Sequence, residues 1–552
     1  MTATRQAEAA PLPRRRPNRR PLALGVLAGW LAAAAGLACA ELAAGLLGSS
    51  ASPLEAVGSW FIDQVPPWLK EFATSTFGTA DKLVLNGTMV VVLAVLAGAV
   101  GALAIRDQRF AWLALLVAAA GGAAASTRSG FAPPDLIPSV VAGVVAALVL
   151  SWLAGRAARV HVHVPATAAD GPHDQTAGAA TPAPSSSSID PNARRAFLRD
   201  VSIVAAGTVV VGVLGRVGLG ASRAVTAARK TLRLPAPPTT AAPAGVDFGA
   251  AVAKSDHGAL SAWVTPNADF YRIDTALSVP QIDPATWQLR IHGMVDRELT
   301  LSLADLAERN ADFAWVTLTC VSNPVGGDLV GNALWSGTRI APILAEAGVH
   351  PDADAVMQTS QDGFTAGTPI GALTDGRNAL LAYAMNGEPL PVQHGFPVRM
   401  VVPGLYGYVS ATKWLVDLEV TRFDRFEAYW TQRGWSPKGP IKTESRIDTP
   451  IGGAKAGDID VAGVAWAQHT GVAAVEVRVD RAGEWHRAEL AAAPSKDTWR
   501  QWRWTWTGAP AGDHTLECRA TDVTGYTQTP ERLDVIPDGA TGWHAVNLRV
   551  EA

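Results

Sequence analysis

Cys320 is the residue whose type and setting point most directly to chemistry. It closes an alternating stretch, Trp315-Val-Thr-Leu-Thr319, and opens a turn-rich one, Val321-Ser-Asn-Pro-Val-Gly-Gly-Asp328. A side chain where a strand runs into a loop is held rigidly yet still meets a ligand. Sulfur in that place suits three roles: a nucleophile, a soft metal ligand or a small buried hydrophobe. No histidine lies close by in sequence to act as an activating base. The other cysteines, Cys39 in an apolar run and Cys518 in Thr515-Leu-Glu-Cys518, read as buried hydrophobes. Three cysteines so far apart argue against a disulfide framework. The chain has no CxxC, no Walker loop and no GxGxxG after a strand, and its net charge is −3. Neither a common nucleotide site nor a nucleic-acid partner is indicated.

The elements that must position Cys320 lie in the second half of the chain. At 552 residues, and roughly 150 residues per domain, three or four units are expected. After the proline-rich stretch Pro235-Ala-Pro-Pro238, short alternating strands such as Trp287–His292 and Trp315–Thr319 interleave with short helices such as Arg339–Ala347, closed by Gly348. That mixture reads as α+β. Beyond Asp448-Thr-Pro450 the helical pattern stops. Strand patterns follow at Val461–Ala467, Val472–Asp480, Arg503–Thr507 and His514–Thr521, which suggests an immunoglobulin-like β-sandwich. Most of the nineteen tryptophans lie after residue 260. Trp499, Trp502, Trp504 and Trp506 are expected to pack a sheet.

The first half has a different solvent. A bilayer core is crossed by roughly 20 apolar helical residues. Four stretches approach that length before residue 160: Pro21–Leu47, Leu83–Ile105, Phe110–Ser126 and Leu136–Gly155. Glu41 near the end of the first is expected to reach the interface. A fifth apolar run covers Val201–Leu214 and extends toward Ser222. Arg14, Arg15, Arg16, Arg19 and Arg20, then Arg106 and Arg109, then Arg156 and Arg159 all fall on one side, which should be cytoplasmic. The stretch Asn192-Ala-Arg-Arg-Ala-Phe-Leu-Arg199, before the fifth run, is similar to a twin-arginine export signal built on Arg194 and Arg195. Five crossings put everything after about Ser222 outside. The spans contain no histidine, so a bis-histidine haem within them is excluded, and anchoring is their default role.

Several motifs in order around Cys320 resemble the sulfite-oxidase family of molybdopterin enzymes. They run from Thr265-Pro-Asn-Ala-Asp-Phe-Tyr-Arg272 through Thr317-Leu-Thr-Cys320, Ser322-Asn323 and Leu334-Trp-Ser-Gly-Thr-Arg339. They continue with Leu381–Pro391, His394-Gly-Phe-Pro-Val-Arg399, Gly407 and Lys413-Trp414. Ser445-Arg-Ile-Asp448 and Arg519-Ala-Thr-Asp522 are similar to the family's accessory β-domain, and the likeness spans about residues 255–552. The resemblance implies a molybdopterin cofactor with Cys320 as the thiolate ligand to molybdenum. It assigns cofactor contacts to Asn267, Phe270, Tyr271, Arg272, His394, Arg399, Ser410, Thr412 and Lys413. It also implies a separate electron-transfer partner and makes a homodimer through the β-domain an expectation.

Two departures bear on substrate. The arginine that sulfite oxidases carry shortly after the metal cysteine falls here on Pro324-Val325, and their active-site tyrosine on Trp435. Arg272 is left as the one arginine that the motif brings to the metal. A dianion would be poorly compensated in such a pocket. The expectation is oxygen-atom transfer with Cys320, Arg272 and Trp435 at the reacting centre, on a neutral S-oxide or N-oxide in preference to sulfite. The competing class is a non-enzymatic extracytoplasmic adhesion or assembly module on an enzyme-derived fold, and retention of Cys320 beside the phosphate anchors argues against it. The organisation expected is four transmembrane helices over 1–160, a cytoplasmic linker at 161–195 and a fifth transmembrane helix at 196–222. A linker at 223–250, a molybdopterin domain at 251–445 and an immunoglobulin-like domain at 446–552 complete it. The protein is expected in the cell membrane, multi-pass, with its catalytic part outside the cytoplasm.

Overall fold

The computed structural model describes residues 20–47, 52–65, 81–127, 133–160, 191–218, 220–249, 252 and 258–552. The arginines at 14–16 and 19, most of the first interhelical loop and the 161–190 part of the first linker lie outside the described residues. Chain contacts divide the protein into two compact units, Met1–Leu219 and Gly220–Ala552.

In the first unit the helices are α1 (Arg20–Leu47), α2 (Pro53–Gln64), α3 (Asp81–Ala104), α4 (Leu113–Ser126), α5 (Ile137–Arg159) and α6 (Pro191–Gly218). Five helical stretches among the described residues are long and apolar enough to cross a membrane: Leu22–Leu46, Val84–Ala104, Gln108–Ser126, Pro133–Arg159 and Asn192–Val213. Small residues let them approach closely. Gly25 and Gly29 of α1 lie against the backbone at Ala97, Gly101 and Ala102 of α3, and Gly36 against Ala142 of α5. Association through stripes of small residues is how helices pack when lipid and side chain are equally apolar. Helix α2 lies between the first two apolar stretches, and Ser52 at its start donates to the Glu41 carboxylate. The last helix begins at Pro191 and takes in Arg194 and Arg195. Phe197 is buried among α1 and α5 residues, and the buried Asp200 pairs with Arg156 of α5 at 3.2 Å.

The second unit opens with α7 (Gly220–Thr231), so the stretch expected as linker from 223 begins as a helix. One sheet has the order β2-β1-β10-β5-β6, with β1 (Gln288–Gly293), β2 (Leu299–Ser302), β5 (Ala355–Ser360), β6 (Thr365–Pro369) and β10 (Leu415–Thr421). Only β1 and β10 run parallel there. A second sheet runs β3-β4-β7-β8, with β3 (Ala311–Thr319), β4 (Val330–Arg339), β7 (Leu380–Met385) and β8 (Glu388–Pro389), and β9 (Arg399–Val401) also pairs β7. Helices α8 (Leu303–Glu308), α9 (Ile340–Ala347) and α10 (Ile370–Thr374) supply Leu306, Ile343, Leu344 and Leu373 to the core over the first sheet. Ser302 and Asp305 cap α8 reciprocally. Gly348, at φ 72°, ends α9 in the left-handed conformation that glycine adopts without steric cost.

The C-terminal region is β-rich. A four-stranded sheet β11-β13-β17-β16 faces a five-stranded sheet β12-β19-β18-β14-β15 across a shared core of Ile447, Val461, Val475, Trp502, Leu516 and Leu548. These strands are β11 (Glu444–Thr449), β12 (Gly452–Lys455), β13 (Gly457–Trp466), β14 (Val472–Val479), β15 (His486–Arg487), β16 (Glu489–Leu490), β17 (Arg500–Ala509), β18 (Gly512–Asp522) and β19 (His544–Glu551). Of the clustered tryptophans, Trp502 fills this core and Trp504 stacks on His486 at 5.0 Å. Trp499 instead joins Trp263, Val330 and Trp466 in a separate cluster that fastens the C-terminal sheets to β4.

Candidate functional site

Cys320 follows the last residue of β3, an edge strand whose free side is closed from the C-terminal region. The Thr317 N–H donates to Asp497 O at 2.9 Å, the Trp499 N–H donates to Thr317 Oγ1 at 2.7 Å, and Gln468 Nε2 donates to Thr319 Oγ1 at 2.8 Å. An unpaired strand edge is a row of unsatisfied donors and acceptors; here the Thr317 N–H is paired with Asp497 O and the Thr317 carbonyl accepts from Gln468 Nε2 at 3.2 Å. The turn after Cys320 is pinned as well. The Cys320 N–H donates to Leu329 O and the Leu329 N–H to Asn323 Oδ1, both at 2.9 Å. From β11, Arg446 donates to Gly327 O at 2.5 Å and to Ser261 Oγ at 3.0 Å while paired with Asp448 at 2.6 Å. Gly326, at φ 80°, lies flat on the His544 ring, where a Cβ has no room.

The thiol opens into a cavity of about 800 Å³, counting its solvent-filled mouth. Phe270, Tyr271, Cys320, Arg399, Lys413 and Trp435 line it, all singled out from sequence. The structure also brings in Asp274, Ser322, Ser360, Asp362, Tyr408 and Trp430. Ser360 ends β5, Asp362 lies in the turn after it, Tyr408 sits in the short helix Gly407–Ser410, and Asp274 and Trp430 come from loops; no local pattern marks them except Ser322, which sits inside the cysteine motif. Rings form one wall: Tyr408 to Trp435 at 6.0 Å and Trp435 to Trp430 at 6.1 Å between centroids. The Tyr408 hydroxyl is spent on Ser436 O at 2.6 Å, so that ring offers surface and not a proton.

Five of the residues singled out do not line the cavity. Arg272 is partly exposed and bonds Asp274 Oδ2 at 3.0 Å, and its neighbour Ile273 lines the cavity instead. Asn267 donates to Glu388 and Met385 O, and its carbonyl oxygen lies 3.0 Å from His394 Nε2. The Ser410 hydroxyl turns back to Leu405 O and Tyr406 O. Thr412 and His394 are buried, and each keeps a polar atom without a partner.

Electrostatics show what the site lacks. Arg399 is 4% exposed, and burial lowers its pKa to about 10. It donates to His394 O and Ala411 O and lies over the Trp335 ring at 5.0 Å, yet its Nε is unpaired. Lys413 is lowered to about 8 by burial, against the opposing pull of Asp274 at 3.1 Å. His394 is lowered to about 4 by burial first, then by repulsion from Arg399 and Lys413. Burial also raises the Cys320 thiol, with Ser322 opposing, so the metal-free cysteine is a poor nucleophile. Two buried cations and a histidine, with His394 Nδ1, Arg399 Nε and Thr412 Oγ1 unsatisfied, fit a phosphate-bearing pterin. Buried polar atoms without partners are costly unless a ligand completes them. Among the described residues no three His, Cys, Asp or Glu side chains group as a metal site. A metal on Cys320 would take its other ligands from the cofactor.

The family described as oxidoreductase molybdopterin binding domain matches residues 276–430, a stretch that contains Cys320, His394, Arg399 and Lys413. The class is thus a molybdopterin-binding oxidoreductase domain. Mouse mitochondrial sulfite oxidase is 31% identical over 343 residues, covering 52% of this chain and 62% of that one. Chicken sulfite oxidase is 30% identical over 335 residues, covering 51% and 72%. The uncharacterized oxidoreductase YuiH of Bacillus subtilis is 34% identical over 157 residues, covering 28% and 76%. Among solved structures, the sulfane dehydrogenase SoxCD of Paracoccus pantotrophus aligns over 58% of this chain and 96% of that one, at 19% identity and a TM-score of 0.47. The chain belongs to the sulfite oxidase family of molybdopterin-dependent oxidoreductases. It spans about six tenths of the length of the mitochondrial sulfite oxidases it matches.

Proposed function

We propose that this chain is a membrane-anchored oxidoreductase that performs oxygen-atom transfer at a molybdenum held by the Cys320 thiolate, on a neutral S-oxide or N-oxide in preference to sulfite. The observation that carries it is one cavity containing the Cys320 thiol, two buried cations and unsatisfied polar atoms beside them. When bound, the molybdenum cofactor supplies two-electron oxygen-atom exchange. Arg399 and Lys413 are suited to neutralise its phosphate, the partnerless His394 Nδ1 to accept a hydrogen bond from the cofactor and Thr412 Oγ1 to bond it, and Asn267 and Ser410 to hold the backbone around it. Asp274 orients Lys413 and withdraws Arg272 from the cavity. Trp435, Trp430 and Tyr408 give the cavity its shape and keep water out. Metal analysis is the first test: purified protein should carry close to one molybdenum per chain. Protein that folds and is exported without molybdenum or pterin would instead favour the adhesion or assembly reading.

The preference against sulfite rests on charge. Arg399 and Lys413 are the cationic side chains lining the cavity among the described residues, and Lys413 is already paired. Ile273 and the aromatic wall take the space where a dianion needs charge-assisted donors. The kcat/KM for neutral sulfoxides or N-oxides is expected to exceed that for sulfite. Sulfite turnover near ~10⁷–10⁸ M⁻¹s⁻¹, at the diffusional ceiling, would reverse the assignment.

The proposal extends to the remaining parts of the chain. The five apolar helices cross the membrane with the N-terminus inside. The Arg194-Arg195 segment routes a prefolded, cofactor-loaded domain outward, electrons pass to or from a separate partner, and residues 446–552 form an immunoglobulin-like sandwich suited to a homodimer contact. A reporter fused after Ala552 should be active only if it needs an extracytoplasmic location, and Arg194→Lys with Arg195→Lys should abolish that signal. A cytoplasmic reporter that works at the same fusion point would overturn the topology.

A further inference from the structure

We propose that Arg229, on the helix that opens the second unit, is a positioning residue that braces the strap carrying His394 and so retains the cofactor; this rests on the molybdopterin reading above.

Helix α7 is docked on the second unit through both an apolar and a polar contact. Val225 is buried in the cluster that contains Phe270, Leu390 and Phe396. One turn further on, Arg229 Nε donates to Leu390 O at 2.8 Å and Nη2 to Pro389 O at 2.7 Å. Nη2 also donates to Glu388 Oε2 at 2.8 Å. The fork therefore satisfies two carbonyls of a segment in which Pro389 and Pro391 have no N–H to offer. Glu388 passes the contact on, because its other oxygen accepts from Asn267 Nδ2 at 2.8 Å. Asn267 is fixed a second time by Asn386 Nδ2 at 2.9 Å, and its own carbonyl oxygen lies 3.0 Å from His394 Nε2. A carbonyl accepts only, so Nε2 carries the ring proton and Nδ1 is the ring atom left without a partner. Three links, Arg229 to Glu388 to Asn267 to His394, thus fix which atom of the histidine is left for a ligand. None of the first three lines the cavity. Arg229 also lies outside the stretch matched by the molybdopterin-binding family, 276–430, and on the helix that follows the fifth apolar stretch, Asn192–Val213.

The test uses the purified full-length protein and two readouts. One is the rate at which molybdenum and pterin leave the protein on dialysis; the other is backbone hydrogen exchange over 386–395. Arg229→Ala is expected to release cofactor roughly tenfold faster, the effect of one lost charge-assisted contact, and to exchange faster over that segment. Its kcat per bound molybdenum should be unchanged. Arg229→Lys should recover part of the loss, and the exposed neighbour substitution Lys230→Ala should match wild type. Wild-type rates of both release and exchange in Arg229→Ala would overturn the proposal, as would equal loosening in Lys230→Ala. Should Arg229→Ala not fold, Glu388→Gln interrupts the same chain of contacts with the helix intact, and is held to the same two outcomes. If wild type carries no molybdenum yet exchange at 386–395 still rises in Arg229→Ala, the brace stands and the cofactor assignment falls.

Discussion

Replacing Cys320 by serine is expected to abolish turnover in a protein that still folds. The side chain is 8% exposed and serine is nearly isosteric, so the cost in stability should stay near ~1–2 kcal/mol. The chemical change is larger than the steric one. A serine oxygen is a harder donor and does not reproduce a metal-bound thiolate. Loss of a hydrogen-bond partner behind a metal ligand typically costs about 10–100-fold; loss of the proposed thiolate ligand should exceed that by a wide margin. Cys518→Ser is the matched control. It is buried in the C-terminal core, where burial raises the thiol to about 12 and Ser445 is its one hydrogen-bond contact at 3.4 Å. That variant should lose some stability and keep its activity. The measurements are steady-state kinetics, molybdenum content and a melting curve. A fully active Cys320→Ser would remove the metal assignment.

Arg399→Met should yield protein that folds but retains little cofactor. Removing one partner of a buried, hydrogen-bonded charge pair costs about 2–5 kcal/mol, a factor of about 30 or more in affinity. Because Arg399 also supports His394 O and Ala411 O, the melting temperature of the cofactor-free form must be recorded beside the molybdenum content. A loss of cofactor that merely tracks a loss of fold would not support the assignment. The pH dependence gives an independent check. In the cofactor-free protein Lys413 loses its proton near pH 8, whereas a bound anion would hold that proton to higher pH. Binding therefore takes up a proton above pH 8, so the affinity of cofactor-free protein should be flat below that value and fall as pH rises through it. Lys413→Met should flatten the fall. Retention of cofactor by Arg399→Met at the wild-type level would show that the phosphate is held elsewhere.

The parts of this structure legible in the sequence are those in which a local pattern carries the information. Four of the apolar helices emerge within a few residues of where their composition puts them, the fifth, Asn192–Val213, begins nine residues before the expected Val201, and α9 ends at Gly348 as its left-handed cap requires. Helix α2 was not legible, because twelve residues of mixed polarity carry no span signal. Within the site, Cys320, Arg399, Lys413 and Trp435 could be named because motifs in order carry them. Arg272 was expected at the reacting centre, but the side chain turns to Asp274, two residues on, and Ile273 lines the cavity. Which of two adjacent side chains faces a cavity depends on a partner that no spacing rule supplies. Asp274, Asp362, Tyr408 and Trp430 converge only once the β5–β6 turn and the 423–435 segment have been laid over β3.

The closed edge of β3 also sets a clock on biosynthesis. A nascent chain that has emerged as far as Val401 already carries Cys320, His394 and Arg399. The groups that close the β3 edge, Gln468, Asp497 and Trp499, and the Arg446 that ties down Gly327, are still untranslated. The edge of β3 beside the cavity is therefore closed only after Trp499 has been made, well after Cys320 itself. A chain truncated near residue 445 would leave that edge open to pairing with other chains.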